Sequence, residues 1–306
     1  MTTLVFGHKS PDTDSTGSPI IWSWYLNEVM GIEASPALLG EPNTEALFML
    51  DHWNLDKPQI IDGVQAGQPV VIVDTNNPAE LPENINQADI KAIIDHHLLV
   101  GGLETKTPIH IVMKPLACTA TIMYKLIGEN MSRMPKDIKG AMLTCILSDT
   151  LEFRSPTTTP EDQSIAQSLA KELGVEIADY AAQMFAAKSD VSSFSEAELL
   201  RMDSKEYEVG SMQFRVSVLE TTSPASILSR KDALMAAMPG VAAEDGADQV
   251  LLFVVDILNE EATMLIPNAL SKSVAEKSFG ATVVGDTVVL PGVMSRKKQI
   301  IPNLKV

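Results

Sequence analysis

The sequence predicts a two-domain α/β protein. Its N-terminal domain is a mostly parallel sheet with helices on both faces, and its smaller C-terminal α/β domain has a mixed sheet. Three observations lead there. Short β-rich runs alternate with helical ones across residues 1–187, a polar, serine-rich stretch (KSDVSSFS) follows at 188–195, and a second alternation fills 196–306. With 306 residues, 45% of them hydrophobic, and a mean hydropathy of +0.09, the chain has apolar material for a sizeable core and enough length to divide.

The first expected strand, 3–6, is a short apolar run that Gly7 ends. Further strands are expected at 34–38, 59–61, 70–73, 91–94 and 109–112. Helices are expected at 18–29, 43–51, 117–128, 137–147, 160–173 and 175–187. Pro160 followed by Glu-Asp-Gln suits a first helical turn, where proline loses nothing and acidic side chains meet the positive helix end. After the 188–195 linker come a helix at 195–202, a strand at 212–219 and a helix at 224–238. The apolar run 249–258, a strand at 261–267, a helix at 271–279 and a strand at 286–292 complete the second domain.

Composition narrows the function classes. No apolar run reaches the length of a membrane span, and the first residues lack the zones of a signal peptide. Cys118 and Cys145, the only cysteines, lie in apolar, helical-looking sequence and read as buried thiols, which suits a reducing cytoplasm. The 23 basic against 40 acidic residues give a charge of −17, which resists nucleic acid and anionic membranes. An anionic small substrate would need a site with its own positive charge. Phosphate-loop, dinucleotide and serine-nucleophile motifs are missing.

The acidic residues and histidines recur at chosen places. GHKSPDTDS sets His8, Asp12 and Asp14 just past the first strand, with Pro11 stiffening the turn. Asp74 follows the apolar run VVIV, the triplet Asp95-His96-His97 follows KAII, and Asp149 ends an apolar helical segment. Loops at the carboxyl ends of parallel strands converge on one crevice. Three of the five histidines in the chain sit at such positions. Buried carboxylates repel and are costly to desolvate, so a cation is the expected occupant. His8, Asp12, Asp14, Asp74, His96 and Asp149 supply two imidazoles and four carboxylates, which two divalent cations would balance. Mixed nitrogen and oxygen donors suit manganese, cobalt or iron better than calcium, and no thiolate set points to structural zinc. Asp95 is expected to orient a liganding histidine by hydrogen bonding, and His52 and His110 are expected to serve packing or surface. SRKKQ at 295–299 and Lys205 supply cations that could hold a phosphoryl-bearing anion between the domains.

Together GHKSPDTDS, IIDHH, ILSDTLEFRSPT and SRKKQ resemble the manganese-dependent family II inorganic pyrophosphatases of the DHH phosphoesterase superfamily, nearly end to end. The Asp-His-His triplet alone points only to the superfamily; the C-terminal run and the length point to the pyrophosphatase branch. The resemblance implies hydrolysis of pyrophosphate to two orthophosphates by a metal-bridging hydroxide in an interdomain cleft. It marks His8, Asp12, Asp14, Asp74, His96 and Asp149 as ligands of two manganese ions, with cobalt as a substitute. A further magnesium or manganese ion would arrive with the substrate. His97 corresponds to the histidine that contacts substrate and donates a proton, and Lys205, Arg296 and Lys297 to the phosphate-binding cations. A homodimer through the N-terminal domain, closure of the C-terminal domain and a cytoplasmic location are also implied. Two positions depart from the pattern: Thr75 stands where the family commonly has His, and Ser10 where it has Asn. Rival readings are another DHH-type phosphoesterase acting on short oligonucleotides or cyclic dinucleotides, and a metal-binding protein without activity.

Overall fold

The computed structural model describes residues 1–189 and 191–306, so Asp190 of the expected linker lies outside the described residues. The chain divides into two compact units, Met1–Met184 and Phe185–Val306. In the first, strands β1 (Thr3–Phe6), β2 (Ala34–Leu38), β3 (Gln59–Ile60), β4 (Pro69–Val73), β5 (Asp89–Asp95) and β6 (His110–Met113) form one sheet in the order β3-β2-β1-β4-β5-β6. Every pairing in it is parallel. The strand order reverses between β1 and β4, the place where doubly wound sheets open a crevice beyond their carboxyl ends. Register pairs Phe6 with Ile72 and Val73 with Ile94, so the loops after β1, β4 and β5 leave the sheet side by side.

Helices α1 (Thr13–Glu28), α2 (Thr44–His52), α3 (Thr119–Ile127), α4 (Lys136–Thr150), α5 (Pro160–Leu173) and α6 (Ile177–Ser189) complete the unit, α6 running on into the second. Phe6, Val70, Ile72, Leu81, Ile90 and Ile93 form one apolar core of the sheet. The α5 start follows the expected pattern. Thr159 and Asp162 close a capping box around Pro160, and Gly174 ends the helix at φ 72°.

α1 starts five residues before its expected position because its first turn is polar yet buried. Thr13, Asp14, Ser15, Thr16 and Ser18 are all inside, with no apolar stripe to mark them as helical. Asp12 caps the helix by accepting the Ser15 amide at 2.9 Å. Gly7 and Gly17 permit this packing: a Cβ at Gly7 would lie 2.0 Å from Ser15 Oγ, and one at Gly17 would lie 2.4 Å from Cys145 Sγ. Both cysteines are buried and free, and burial, then Asp14 and Asp149, push their thiols up.

The second unit holds α7 (Glu196–Met202), β7 (Ser204–Val209), β8 (Met212–Thr221), α8 (Pro224–Leu228), α9 (Lys231–Glu244), β9 (Gln249–Asp256), β10 (Glu261–Leu265), α10 (Ala269–Phe279) and β11 (Thr287–Pro291). Its mixed sheet has the order β11-β10-β9-β8-β7, with only β8 and β9 parallel. β9 is buried throughout, as its unbroken apolar run requires. Two details differ from expectation. The helix expected at 224–238 breaks at Ser229–Arg230, where the Arg230 guanidinium donates to the Val191 and Phe194 carbonyls and pairs with Glu196. β7 has no counterpart among the expected strands, being a charged edge strand of alternating exposure. Among the described residues no helix is long and apolar enough to cross a membrane.

Candidate active site

The loops after β1, β4 and β5 and the ends of α1 and α4 bring six side chains together. His8, Asp12 and Asp74 offer ligand atoms within 4.8 Å of one another, and so do Asp14, His96 and Asp149. Asp74 joins the two triads. Its Oδ2 lies 3.5 Å from His8 Nε2, and its Oδ1 lies 3.4 Å from His96 Nε2. Each ring is oriented by a backbone carbonyl: His8 Nδ1 is 2.7 Å from Lys9 O, and His96 Nδ1 is 3.1 Å from Leu116 O. A carbonyl only accepts, so Nδ1 carries a proton and Nε2 is the ring atom that faces the carboxylates. A ring nitrogen and a carboxylate oxygen at this distance need positive charge between them, which a proton or a metal ion supplies.

The carboxylates make the same demand. Burial pushes the Asp74 and Asp149 carboxyls well up, and Asp14 and Asp12 push further in the same direction. Asp149 Oδ2 is buried without a hydrogen-bond partner, 3.9 Å from His96 Nε2. Asp14 is held by Ser18 Oγ at 2.7 Å and by the Thr119 amide at 2.6 Å, while Thr119 Oγ1 donates to Asp74 at 3.1 Å. The donor set and the orphaned oxygen fit divalent cations.

The expected phosphate-binding residues belong to the second unit. Arg296 opens a π-helical turn, Arg296–Ile300, and donates to Asp203 twice: Nη2 to Oδ1 at 2.7 Å and Nη1 to the carbonyl at 2.9 Å. Burial, the largest influence, would make its guanidinium easier to deprotonate, but Asp203, Tyr207 and Glu220 together outweigh it and hold the group charged. The Asp203 bond sets Arg296 beside Asp203, which immediately precedes β7 and lies two residues before Lys205. Lys297 follows in the same turn, which Gln299 shapes by accepting the Met294 and Ser295 amides at 2.9 Å each.

Residues 2–148 match the DHH family, N-terminal domain, and residues 182–306 match the DHHA2 domain. A Deinococcus radiodurans protein named as a probable manganese-dependent inorganic pyrophosphatase is 41% identical over 98% of this chain and 97% of its own. A Bacillus licheniformis protein of the same name is 36% identical, again over 98% of this chain and 97% of its own. The crystal structure of a Methanococcus jannaschii protein assigned to the family II inorganic pyrophosphatases superposes with a TM-score of 0.86. It is 31% identical and covers 99% of this chain and 98% of its own. The chain belongs to the manganese-dependent inorganic pyrophosphatase family.

Within that family frame the histidine partners differ from expectation. Asp95 accepts from His97 Nδ1 at 2.9 Å and from the backbone amides of His96 and His97, rather than from the His96 ring. The reason is positional: Asp95 ends β5, and its carboxylate caps the turn that follows. Burial alone would raise the Asp95 carboxyl, but the bonds from His97 and Asn76 outweigh it and hold the group well below the usual range. Asn76 donates to Asp95 Oδ2 at 2.5 Å and accepts the Val100 amide, tying the loop after His97 to the loop after β4. Thr75, the family's usual histidine position, donates to Glu80 at 2.7 Å. His52 packs with Phe48, Trp53 and Tyr180, and His110 lies exposed on β6. The supporting residues Thr119 and Asn76 carry no spacing signal, each being polar sequence beside a more conspicuous motif, while Gln299 closes the SRKKQ run without having been given a role.

Proposed function

We propose that this pyrophosphatase-family chain hydrolyses inorganic pyrophosphate to two orthophosphates with a pair of divalent ions, manganese in the first place and cobalt as substitute. The observation that carries this reading is Asp74, whose two oxygens face one histidine of each triad. One ion would be held by His8, Asp12 and Asp74, the other by Asp14, His96 and Asp149, with Asp74 reaching both. When bound, such a pair supplies positive charge and acidifies a water shared between the ions, the nucleophile for direct in-line attack. The chain's own residues do the rest. Lys205, Arg296 and Lys297 offset the charge of the phosphate oxygens, Arg296 keeping its planar fork in place through Asp203. His97 donates a proton to the departing phosphate, its ring held by Asp95, whose negative charge favours the protonated form.

A further magnesium or manganese ion accompanies the substrate, which binds in an interdomain cleft. The −17 charge argues against nucleic acid as partner, and two buried free thiols support a cytoplasmic location. A homodimer through the N-terminal unit is supported by β6, which ends the sheet and shows Ile111 to solvent.

The test is phosphate release from pyrophosphate by metal-stripped protein after separate restoration of manganese, cobalt, zinc or magnesium, beside cleavage of a dinucleotide. Turnover of pyrophosphate, highest with manganese or cobalt, is expected. Cleavage of the dinucleotide in preference, or no turnover with two ions bound, overturns the reading.

A further inference from the structure

Glu45 is a fully buried carboxylate on α2, a helix that contributes none of the six candidate ligands. Its helical neighbours Ala46, Met49 and Leu50 are apolar core, the surroundings in which an acidic side chain is most costly. One oxygen, Oε2, accepts from two hydroxyls: Thr13 Oγ1 at 2.9 Å and Ser148 Oγ at 2.6 Å. Thr13 stands between Asp12 and Asp14 in the first turn of α1. Ser148 immediately precedes Asp149 in the last turn of α4.

A single buried oxygen therefore joins the two helix ends that present three of the candidate ligands. Other contacts support the same junction. The Asn43 amide donates to Pro11 O at 3.1 Å, and Cys145 Sγ donates to Thr13 O at 3.3 Å. Glu45 also occupies the first turn of its helix, where the backbone dipole favours negative charge. An apolar side chain would fill the same space without holding either hydroxyl.

We propose that Glu45 is a positioning residue for the metal centre, fixing the first turn of α1 against the last turn of α4 and so the placement of Asp14 relative to Asp149. The inference rests on the two-ion reading above. It adds that metal affinity, rather than fold alone, depends on this carboxylate. Because the same oxygen accepts both hydroxyls, an amide oxygen can take its place.

The experiment is calorimetric titration of manganese into metal-free protein, beside the melting temperature of each metal-free form. E45L is expected to weaken manganese binding by about tenfold, the low end of what removing a direct partner of a metal ligand costs, while E45Q stays within about threefold of the unmodified chain. T13V and S148A, which each remove one hydroxyl, are expected to weaken binding about tenfold and keep the argument testable if E45L does not fold. A purely structural role would lower the melting temperature of the metal-free forms and leave the affinity of the folded protein unchanged. If the unmodified chain binds two ions and T13V, S148A and any folded E45L bind them as tightly, the inference falls alone. If the unmodified chain binds no manganese, the two-ion reading falls and takes the inference with it.

Discussion

Asp74 adopts a left-handed backbone, φ 58°, immediately after β4. Side chains other than glycine enter that region at a cost, which aspartate and asparagine bear better than most. Asp74→Asn therefore keeps the backbone and the shape and removes only the charge. It is expected to lower manganese occupancy and to reduce turnover by more than ~100-fold, read by metal analysis beside steady-state kinetics. Retention of two ions with normal turnover would contradict the role. The Arg296 prediction separates substrate binding from metal binding. Asp203 is 47% exposed on its side chain, so removing Arg296 leaves a carboxylate that water can solvate. Arg296→Ala and Lys297→Ala are each expected to raise KM for pyrophosphate roughly tenfold or more with metal stoichiometry intact. Unchanged kinetics in both variants would take these residues out of the site. The candidate ligands were legible because each follows an apolar strand or ends an apolar helix, where an acid or imidazole stands out. Glu45 and Thr119 were not, because they act through hydrogen bonds between elements distant in sequence, and no local pattern marks such a bond.

At the scale of elements, apolar periodicity located most strands and helices and failed where burial is polar. α1 illustrates the failure: its first turn is buried for the site, not for the core, so the hydrophobic signal starts only after it. β7 failed in the opposite way, since a charged edge strand has no buried face to advertise. The turn after α4 was illegible for a further reason. Leu151, Glu152 and Phe153 have φ of 48°, 52° and 72°, a left-handed run in residues that rarely adopt it, directly after the helix end that carries Asp149. Close contact between α1 and α4 depends on Gly17, which lies just before the helix expected from the sequence. Gly17→Ala would drive a methyl into Cys145 Sγ and within 3.4 Å of Met49 Sδ. Such overpacking is expected to cost about 1–3 kcal/mol despite alanine's better helix propensity, measured by denaturant unfolding of the metal-free protein. A stabilised variant would show that α4 can move away from α1 freely.

For the whole molecule, the crowded carboxylates make stability a function of pH and metal together. Asp74 and Asp149 titrate above their ordinary value of 3.8 in the folded chain, through burial first and repulsion from Asp14 and then Asp12 second. Between that value and their raised folded values, the folded metal-free chain holds more protons than the unfolded one. Their contribution is full below 3.8 and is lost as pH rises through the folded values. Asp95 works in the opposite sense. Its lowered folded value gives stability that is present above 3.8 and lost only as pH falls. Above 3.8, then, the raised pair governs the carboxylate part of the trend. Divalent ions take the place of the protons, so their stabilising effect should grow as the protons leave. At a metal concentration of ~100 times Kd the gain is about 2.7 kcal/mol per site. Melting curves of metal-free and manganese-loaded protein at pH 5, 6, 7 and 8 should therefore diverge with rising pH, and taking the difference cancels the titration of groups remote from the centre. A gap that stayed constant or narrowed would mean that the carboxylates are not what the metal neutralises.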